Sequence, residues 1–511
     1  PFRSCASPMT FERKPIIPPK KPTSVHQGAI WSTALQYIGT ALQFISAAVL
    51  ARYFLTPAET GLFSIAMAAT LMLTIFQDFG LTRYIASLPS LSPATLARCT
   101  TLAVALGSVI ALILVALSWP MATLYKAAQL APVMWLAAAS CFISAFSIVP
   151  TAILARAMAF YRLGLIQLGA TLAQTIVALS LAAGGLSTAA LAYALLAAAI
   201  VRAGLSQYLS PAIRFSPFSR LGPIIRFGSA NAVLTLSGAL GTRTADLIIG
   251  KLLGLAPVGY YSRAASLSDQ SRTLMIGSMG AVLFPAFAQL HREGKPLAPG
   301  YLRVCAAYSG LIWPGMAGLA LCSDTLVRLV FGPAWAPVAP ALQLIAVSQM
   351  LIIAVPLAIE LPILVGKMRA LLARNVIDTA LSISLLALGC NWGVEGAAAS
   401  RIVYALCWLT LYYPFMRSIV GFSPRALALI YAKSCCVTGA ALAPFICATW
   451  LGVPLSHLAP EALSLTILAG GASWLAALAM TRHPLWVELR LASASVFARR
   501  QSANRLITDK L

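Results

Sequence analysis

The sequence predicts an all-α polytopic membrane protein of about fourteen transmembrane helices, and three observations carry that prediction. The 511 residues are 60% hydrophobic and only 10% charged, with a mean hydropathy of +0.86. Apolar runs of about eighteen residues or more, each able to cross a hydrocarbon core of about 30 Å, recur along nearly the whole chain. The Lys and Arg residues collect in alternate connecting segments. A membrane β-barrel would instead show alternating segments of roughly ten residues, and the sequence has none.

The first 29 residues are basic and proline-rich, a solvated cytoplasmic tail with Arg3, Arg13, Lys14, Lys20 and Lys21. The apolar run that follows is too long for the core of a secretory signal and lacks a small-residue cleavage site, so it reads as the first helix. Helices are then expected near 30–51, 61–81, 99–119, 132–154, 164–184 and 187–205. A second set follows near 227–250, 260–288, 304–322, 339–365, 371–390 and 395–416, and two more near 430–451 and 461–481. With a cytoplasmic N-terminus, 27 of the 36 Lys and Arg residues fall on the inner side. Outside lie only Arg52, Lys126, Lys251 and Arg328, and within helices Arg202, Arg243, Arg263, Arg272 and Arg401. A wrong helix number would scramble this alternation, so both termini are expected in the cytoplasm. On a soluble protein the net charge of +23 would suggest nucleic acid; here the charges mark cytoplasmic loops.

The chain repeats itself. The stretch beginning at Arg162 (RLGLIQLGATLAQTIVALSLAAGGLSTAALAYAL) aligns with the one beginning at Arg369 (RALLARNVIDTALSISLLALGCNWGVEGAAASRIV), and TPAETGLFSIA echoes LAPVGYYSRA. Six helices per copy is an even number, so the copies enter the membrane from the same side as parallel repeats, with the substrate path expected between them. The resulting division is an N-lobe at 30–220, a C-lobe at 221–420, two extra helices within 421–481 and a basic cytoplasmic tail at 482–511.

The functional candidate is the stretch from Gly241 to Gln289, which places Arg243, Asp246, Arg263, Asp269 and Arg272 at membrane depth. An ionised side chain there costs about 3 kcal/mol or more and faces protein or a wet cavity. At 100° per residue, Arg263, Asp269 and Arg272 fall within half the helix circumference, with Arg272 near mid-membrane. One reading is two structural ion pairs, Arg243 with Asp246 and Arg272 with Asp269. The other starts from the surplus: two acids do not neutralise three arginines, and the excess cation calls for water or an anionic ligand. Glu360 is the lone acid in its helix, between Pro356 and Pro362, and fits either cation coupling or an ion pair. Arg52 and Lys251 end helices on the outer side, placed to meet phosphate at an exit or to snorkel to lipid head groups. Asp78 is expected to pair with Arg83 or to gate the cavity, and Asp378 to pair with Arg374 four residues before it. The ten cysteines show no CxxC and no His at ligand spacing, so neither metal nor cofactor is expected.

Four stretches carry a family resemblance: LARYFLTPAETGLFSIA, ADLIIGKLLGLAPVGYYSRA, VLFPAFAQL and GVEGAAASRIV. In order and spacing they resemble Wzx-type polysaccharide flippases of the multidrug/oligosaccharidyl-lipid/polysaccharide exporter superfamily, across nearly all of residues 30–481. The resemblance implies two six-helix lobes around a central cavity, alternating access, and a bacterial inner-membrane location. It also implies a cargo, an oligosaccharide on undecaprenyl diphosphate, and polysaccharide polymerase or export machinery as partners. Two alternatives stay open. A cation-coupled drug antiporter of the same superfamily would want an acid-rich first lobe, where the helices here offer only Asp78. A membrane glycosyltransferase or polymerase would want a large outer loop with acids or histidines for its chemistry, and His457 is the only outer histidine.

Overall fold

The computed structural model describes residues 25–88, 90–216, 222, 244–276, 280–450 and 460–490, and among these the regular structure is helical. The first half comprises α1 (Val25–Tyr53), α2 (Pro57–Asp78), the short α3 (Leu81–Ser87), α4 (Pro93–Leu124), α5 (Leu130–Arg156), α6 (Phe160–Ala183) and α7 (Ser187–Leu209). The second half begins with α8 (residues 244–252) and continues through α9 (Leu255–Ile276), α10 (Gly280–Arg292), α11 (Ala298–Leu321) and α12 (Ser323–Phe331). It closes with α13 (Val338–Ile353), α14 (Glu360–Leu364), α15 (Met368–Gly389) and α16 (Gly393–Val420), after which α17 (Pro424–Trp450) and α18 (Pro460–Met480) follow.

Local chemistry sets the ends that matter. α2 starts four residues earlier than hydropathy alone suggests, because Thr56 and Glu59 form a capping box with Pro57 in the first turn. It stops at Asp78, where Phe79 (φ 42°) and Gly80 (φ 71°) are left-handed. Of the span expected over 260–288 the described residues give α9 and α10, with 277–279 outside them. One expected span is broken: that over 339–365 unwinds between α13 and α14, because Pro356 has no N–H to give and Leu357 turns to φ 57°. Ten helical segments among the described residues are long and apolar enough to cross a membrane, one of them holding both α15 and α16. α9 carries too much charge, α13 is too short, and most of the span expected over 227–250 lies outside the described residues. The described residues therefore do not by themselves give fourteen.

The packing in the second half repeats that of the first. α4 packs on α5 as α11 does on α13, α6 on α7 as α15 on α16, and α5 on α7 as α13 on α16. α2 sits against α4 and α5 as α9 sits against α11 and α13. α17 and α18 lie outside this scheme, packed on each other with α17 against α11.

Beyond α18 the chain tucks a histidine under the second half. His483 is fully buried, and its Nδ1 accepts from the Leu485 backbone N–H at 3.2 Å. The proton is thereby placed on Nε2, 3.0 Å from the Ser434 hydroxyl of α17, itself 2.8 Å from that of Ser309 in α11. Burial, and secondarily the neighbouring Lys433, push the imidazole down to about 4 from an ordinary 6.5. The folded value lies below the unfolded one, so the stabilisation is complete above about pH 6.5 and is lost as pH falls toward 4. Limited proteolysis of residues 484–490 should accelerate over that window, and His483→Gln should flatten the dependence.

Candidate functional site

The two halves meet where α2 crosses α9, and the contact is made between backbones. A Cβ on Gly61 would stand 1.8 Å from the Leu255 carbonyl oxygen, and one on Gly259 would stand 2.0 Å from that of Pro57. The Ser64 hydroxyl donates to that of Ser262 at 2.9 Å, across 198 residues. The same offset relates Gly61 to Gly259 and Pro57 to Leu255, so the residues that touch are equivalents in the repeat, as around a two-fold axis. Around this crossing the halves are laced at the same end. Trp335 Nε1 donates to the Ala51 carbonyl at 2.8 Å, Tyr125 Oη to that of Leu247 at 2.9 Å, and Arg52 to that of Leu329. Lys251 Nζ reaches the Leu124 carbonyl at 3.4 Å. Arg52 and Lys251 thus cap carbonyls of the opposite half instead of only reaching toward head groups.

The interface is buried on α9 as far as Ser268 and opens beyond it. There Asp269 is 59% exposed and pairs with Arg272 at 2.5 Å. That satisfies one guanidinium nitrogen, while Arg272 Nε is buried with no hydrogen-bond partner among the described residues. Arg263 is not beside it. Nine residues make two and a half turns, so Arg263 lies on the opposite side of α9 and about 13 Å nearer the closed end. Its guanidinium stands 5.8 Å from the Trp335 ring centre, with Nε buried and without a partner among the described residues. The structure therefore separates two of the arginines expected to act together. Arg243 lies outside the described residues. Asp246 is within electrostatic reach of Tyr261, as is Arg401.

Two other expected pairings are rearranged. Arg374 stacks 3.9 Å from the Phe415 ring, leaving Asp378 to a hydrogen bond with Tyr404 and to the charge of Arg401. Arg401 in turn donates to Ser382 Oγ at 3.0 Å. Asp78 Oδ1 accepts from the Thr82 hydroxyl at 2.6 Å and from the Thr82 backbone N–H at 3.3 Å, in the first turn of α3. Glu360 is exposed at the start of α14, and Tyr308 lies within electrostatic reach of both it and Arg272.

Two cavities adjoin this frame. An apolar one of about 410 Å³ is bounded on α9 by Ser271 and Met275, one residue before and three after Arg272, and runs over α11 to α17 and α18. Glycines 315, 318, 470 and 471 form part of its wall, and the cavity begins within one turn of a cation on α9. The other, about 550 Å³, is polar and lies inside the first half, lined from α1, α5, α6 and α7 with Arg202 in its wall. A sequence signal for it is the spacing of Gln36, Thr40 and Gln43 on one face of α1, with Arg202 among the arginines inside helices.

Comparison with known proteins gives these features a family. A profile of polysaccharide biosynthesis proteins matches residues 49–340, more than half of the chain. The chain belongs to that family. Within the family it is 26% identical over 334 residues to the lipopolysaccharide biosynthesis protein WzxC of Escherichia coli, a stretch covering 63% of this chain and 66% of WzxC. It is also 26% identical over 233 residues to the succinoglycan biosynthesis transport protein ExoT of Rhizobium meliloti, covering 42% of this chain and 45% of ExoT. The matched stretches thus span less than two thirds of these relatives. In fold the chain is similar to the lipid II flippase MurJ in an inward closed conformation, with a TM-score of 0.72 at 12% identity over 89% of this chain and 99% of MurJ. A multidrug resistance MATE transporter in an inward-facing conformation follows, with a TM-score of 0.57 at 14% identity over 76% and 98%. The family assignment, with the apolar helices, makes this a multi-pass membrane protein of polysaccharide biosynthesis.

Proposed function

We propose that this chain flips a lipid-linked oligosaccharide, carried on undecaprenyl diphosphate, across the bacterial inner membrane by alternating access between its two halves. The observation that carries the proposal is the pairing of chemistries on α9. Arg272 offers a partly satisfied guanidinium at the open side of the interface, and the apolar groove begins at its neighbours Ser271 and Met275. A cation beside an apolar groove matches a phosphate head joined to a polyprenyl tail. Guanidinium forks also meet phosphate oxygens bidentately. The relatives in lipopolysaccharide and succinoglycan production support the same reading.

In this proposal the laced end faces the periplasm, both termini are cytoplasmic, and the lobes divide at 30–220 and 221–420. Arg272 with Asp269 takes the diphosphate first. Arg263, held against Trp335, becomes available only when the outer closure parts, and Arg243 with Asp246 completes the cationic lining. Deleting the gene tests the function: a specific lipid-linked glycan should accumulate on the cytoplasmic face, and unchanged glycan distribution would refute it. Glu360, beside the unwound stretch after α13, is assigned to coupling. Glu360→Gln should slow ion-driven transport in vesicles while substrate binding persists, and loss of binding with coupling intact would remove that role.

A further inference from the structure

The polar cavity of the first half has no role in the scheme above. Its lining lies toward the open end of the bundle, from the middle of α1, the last turns of α5, the first turns of α6 and the last turns of α7. Two glutamines elsewhere in this half are tied down. Gln77 Nε2 donates to the Cys141 carbonyl at 2.6 Å, and Gln207 Nε2 to that of Phe146 at 2.7 Å. Gln36, Gln43 and Gln167 all line the cavity, and among the described residues no hydrogen bond engages their side-chain amides. Each amide offers donors and an acceptor together, the combination that matches neighbouring hydroxyls on a sugar ring.

The charge in the cavity is just as specific. Arg202 Nε is buried without a hydrogen-bond partner among the described residues, and no ion pair joins Arg202 to Asp78, the acid in the same wall, which is committed to Thr82. An unneutralised guanidinium inside a membrane protein calls for an anion from elsewhere. The volume, about 550 Å³, falls within the ~300–1,000 Å³ common for small-ligand sites.

We propose that this cavity is a subsite for a sugar residue bearing a carboxylate, with Arg202 pairing the acid and Gln36, Gln43 and Gln167 bonding the ring hydroxyls. It rests on the reading of the chain as a carrier of lipid-linked glycan, and adds that the glycan contains an acidic sugar held by the first half while the second half holds its phosphate. A carboxylate and a phosphate are both anions that arginine binds bidentately, so the experiment separates them.

The full chain in lipid nanodiscs is titrated with trigalacturonate, with neutral galactotriose and with inorganic pyrophosphate. The wild type should bind trigalacturonate at least tenfold tighter than galactotriose. Arg202→Gln should erase that preference while pyrophosphate binding persists, Arg272→Gln should do the reverse, and Gln167→Leu should weaken both oligosaccharides together. Arg202→Lys keeps the charge, guards against misfolding of the Gln variant, and should retain a reduced preference. The subsite is refuted if the wild type does not discriminate between the trisaccharides, or if Arg202→Gln or Arg202→Lys leaves the preference unchanged. It is refuted equally if Arg202→Gln costs pyrophosphate as much as trigalacturonate. Failure of the wild type to bind any of the three probes would count against the flippase reading itself.

Discussion

Replacing Arg272 by Lys or Ala should lower glycan export by at least ~100-fold while the protein still inserts and accumulates. The argument begins with its hydrogen bonds. Asp269 uses part of the fork, and Nε is buried without a partner among the described residues, so the protein holds an incompletely satisfied cation within one helical turn of the residues where the apolar groove begins. A diphosphate supplies the missing acceptors. Removing one partner of such a charged, desolvated pair costs about 2–5 kcal/mol, and ~3 kcal/mol is about a hundredfold. Lysine keeps the charge but cannot form the fork, so it should fail nearly as badly as alanine. Arg328→Ala is the contrast: its pair with Asp324 on α12 is exposed, worth at most about 1 kcal/mol, and its loss should be nearly silent. Export is measured against membrane abundance. If Arg272→Ala fails only because the protein no longer accumulates, and Asp269→Asn restores it, the pair is structural and the diphosphate binds elsewhere.

What the sequence shows and what it hides divides along the range of the interactions. Helices and the repeated order of their packing are legible because each span must satisfy its own backbone and bury or expose one face, which is local information. The break at Pro356 was half-legible, as the proline pair around Glu360 announces a disturbed helix without saying that it unwinds. The sequence groups Arg263 and Arg272 because both fall within half the helix circumference. They occupy its two edges, and the aromatic partner that claims Arg263, Trp335, arrives from a segment more than sixty residues away. Asp378 lost its expected partner in the same manner, since Arg374 found the Phe415 ring across α16.

The repeat also shows where the halves have parted company. At the offset of 198 residues, Arg263, Asp269 and Arg272 correspond to Ile65, Leu71 and Thr74 of α2. At these three positions only α9 is charged, the acids of α2, Glu59 and Asp78, standing at its two ends, while the residues that make the crossing, the glycines and serines, are kept in both. Closure requires matched surfaces from the two halves, whereas an anion needs cations from only one side. That division explains why the echo between TPAETGLFSIA and LAPVGYYSRA is readable in the sequence although its meaning as a contact is not.

Gly61→Ala and Gly259→Ala should each abolish export. A single methyl at Gly61 would lie 1.8 Å from the Leu255 carbonyl oxygen, and one at Gly259 would lie 2.0 Å from that of Pro57. Both obstacles are backbone, so no rotamer change relieves the clash, and the helices must part at the crossing. Parting there breaks the Ser64–Ser262 hydrogen bond and loosens Trp335 from Ala51, which biases the protein toward the state open at that end. Overpacking of a tight contact costs about 1–3 kcal/mol or more, enough to shift a two-state balance by about fivefold to over a hundredfold. The check is chemical access: on either glycine variant, Ser262→Cys should become reactive to a membrane-impermeant thiol reagent added from outside, while on the parent it stays protected. The converse variant, Ser64→Cys with Ser262→Cys, should lock the closure when oxidised, stop export, and recover with reductant. Gly204→Ala and Gly439→Ala, where an added Cβ meets nothing within 4 Å, serve as controls and should export normally. Normal export by Gly61→Ala with Ser262→Cys still protected would show that the crossing is a static joint, and the moving interface would then have to be sought elsewhere in the bundle.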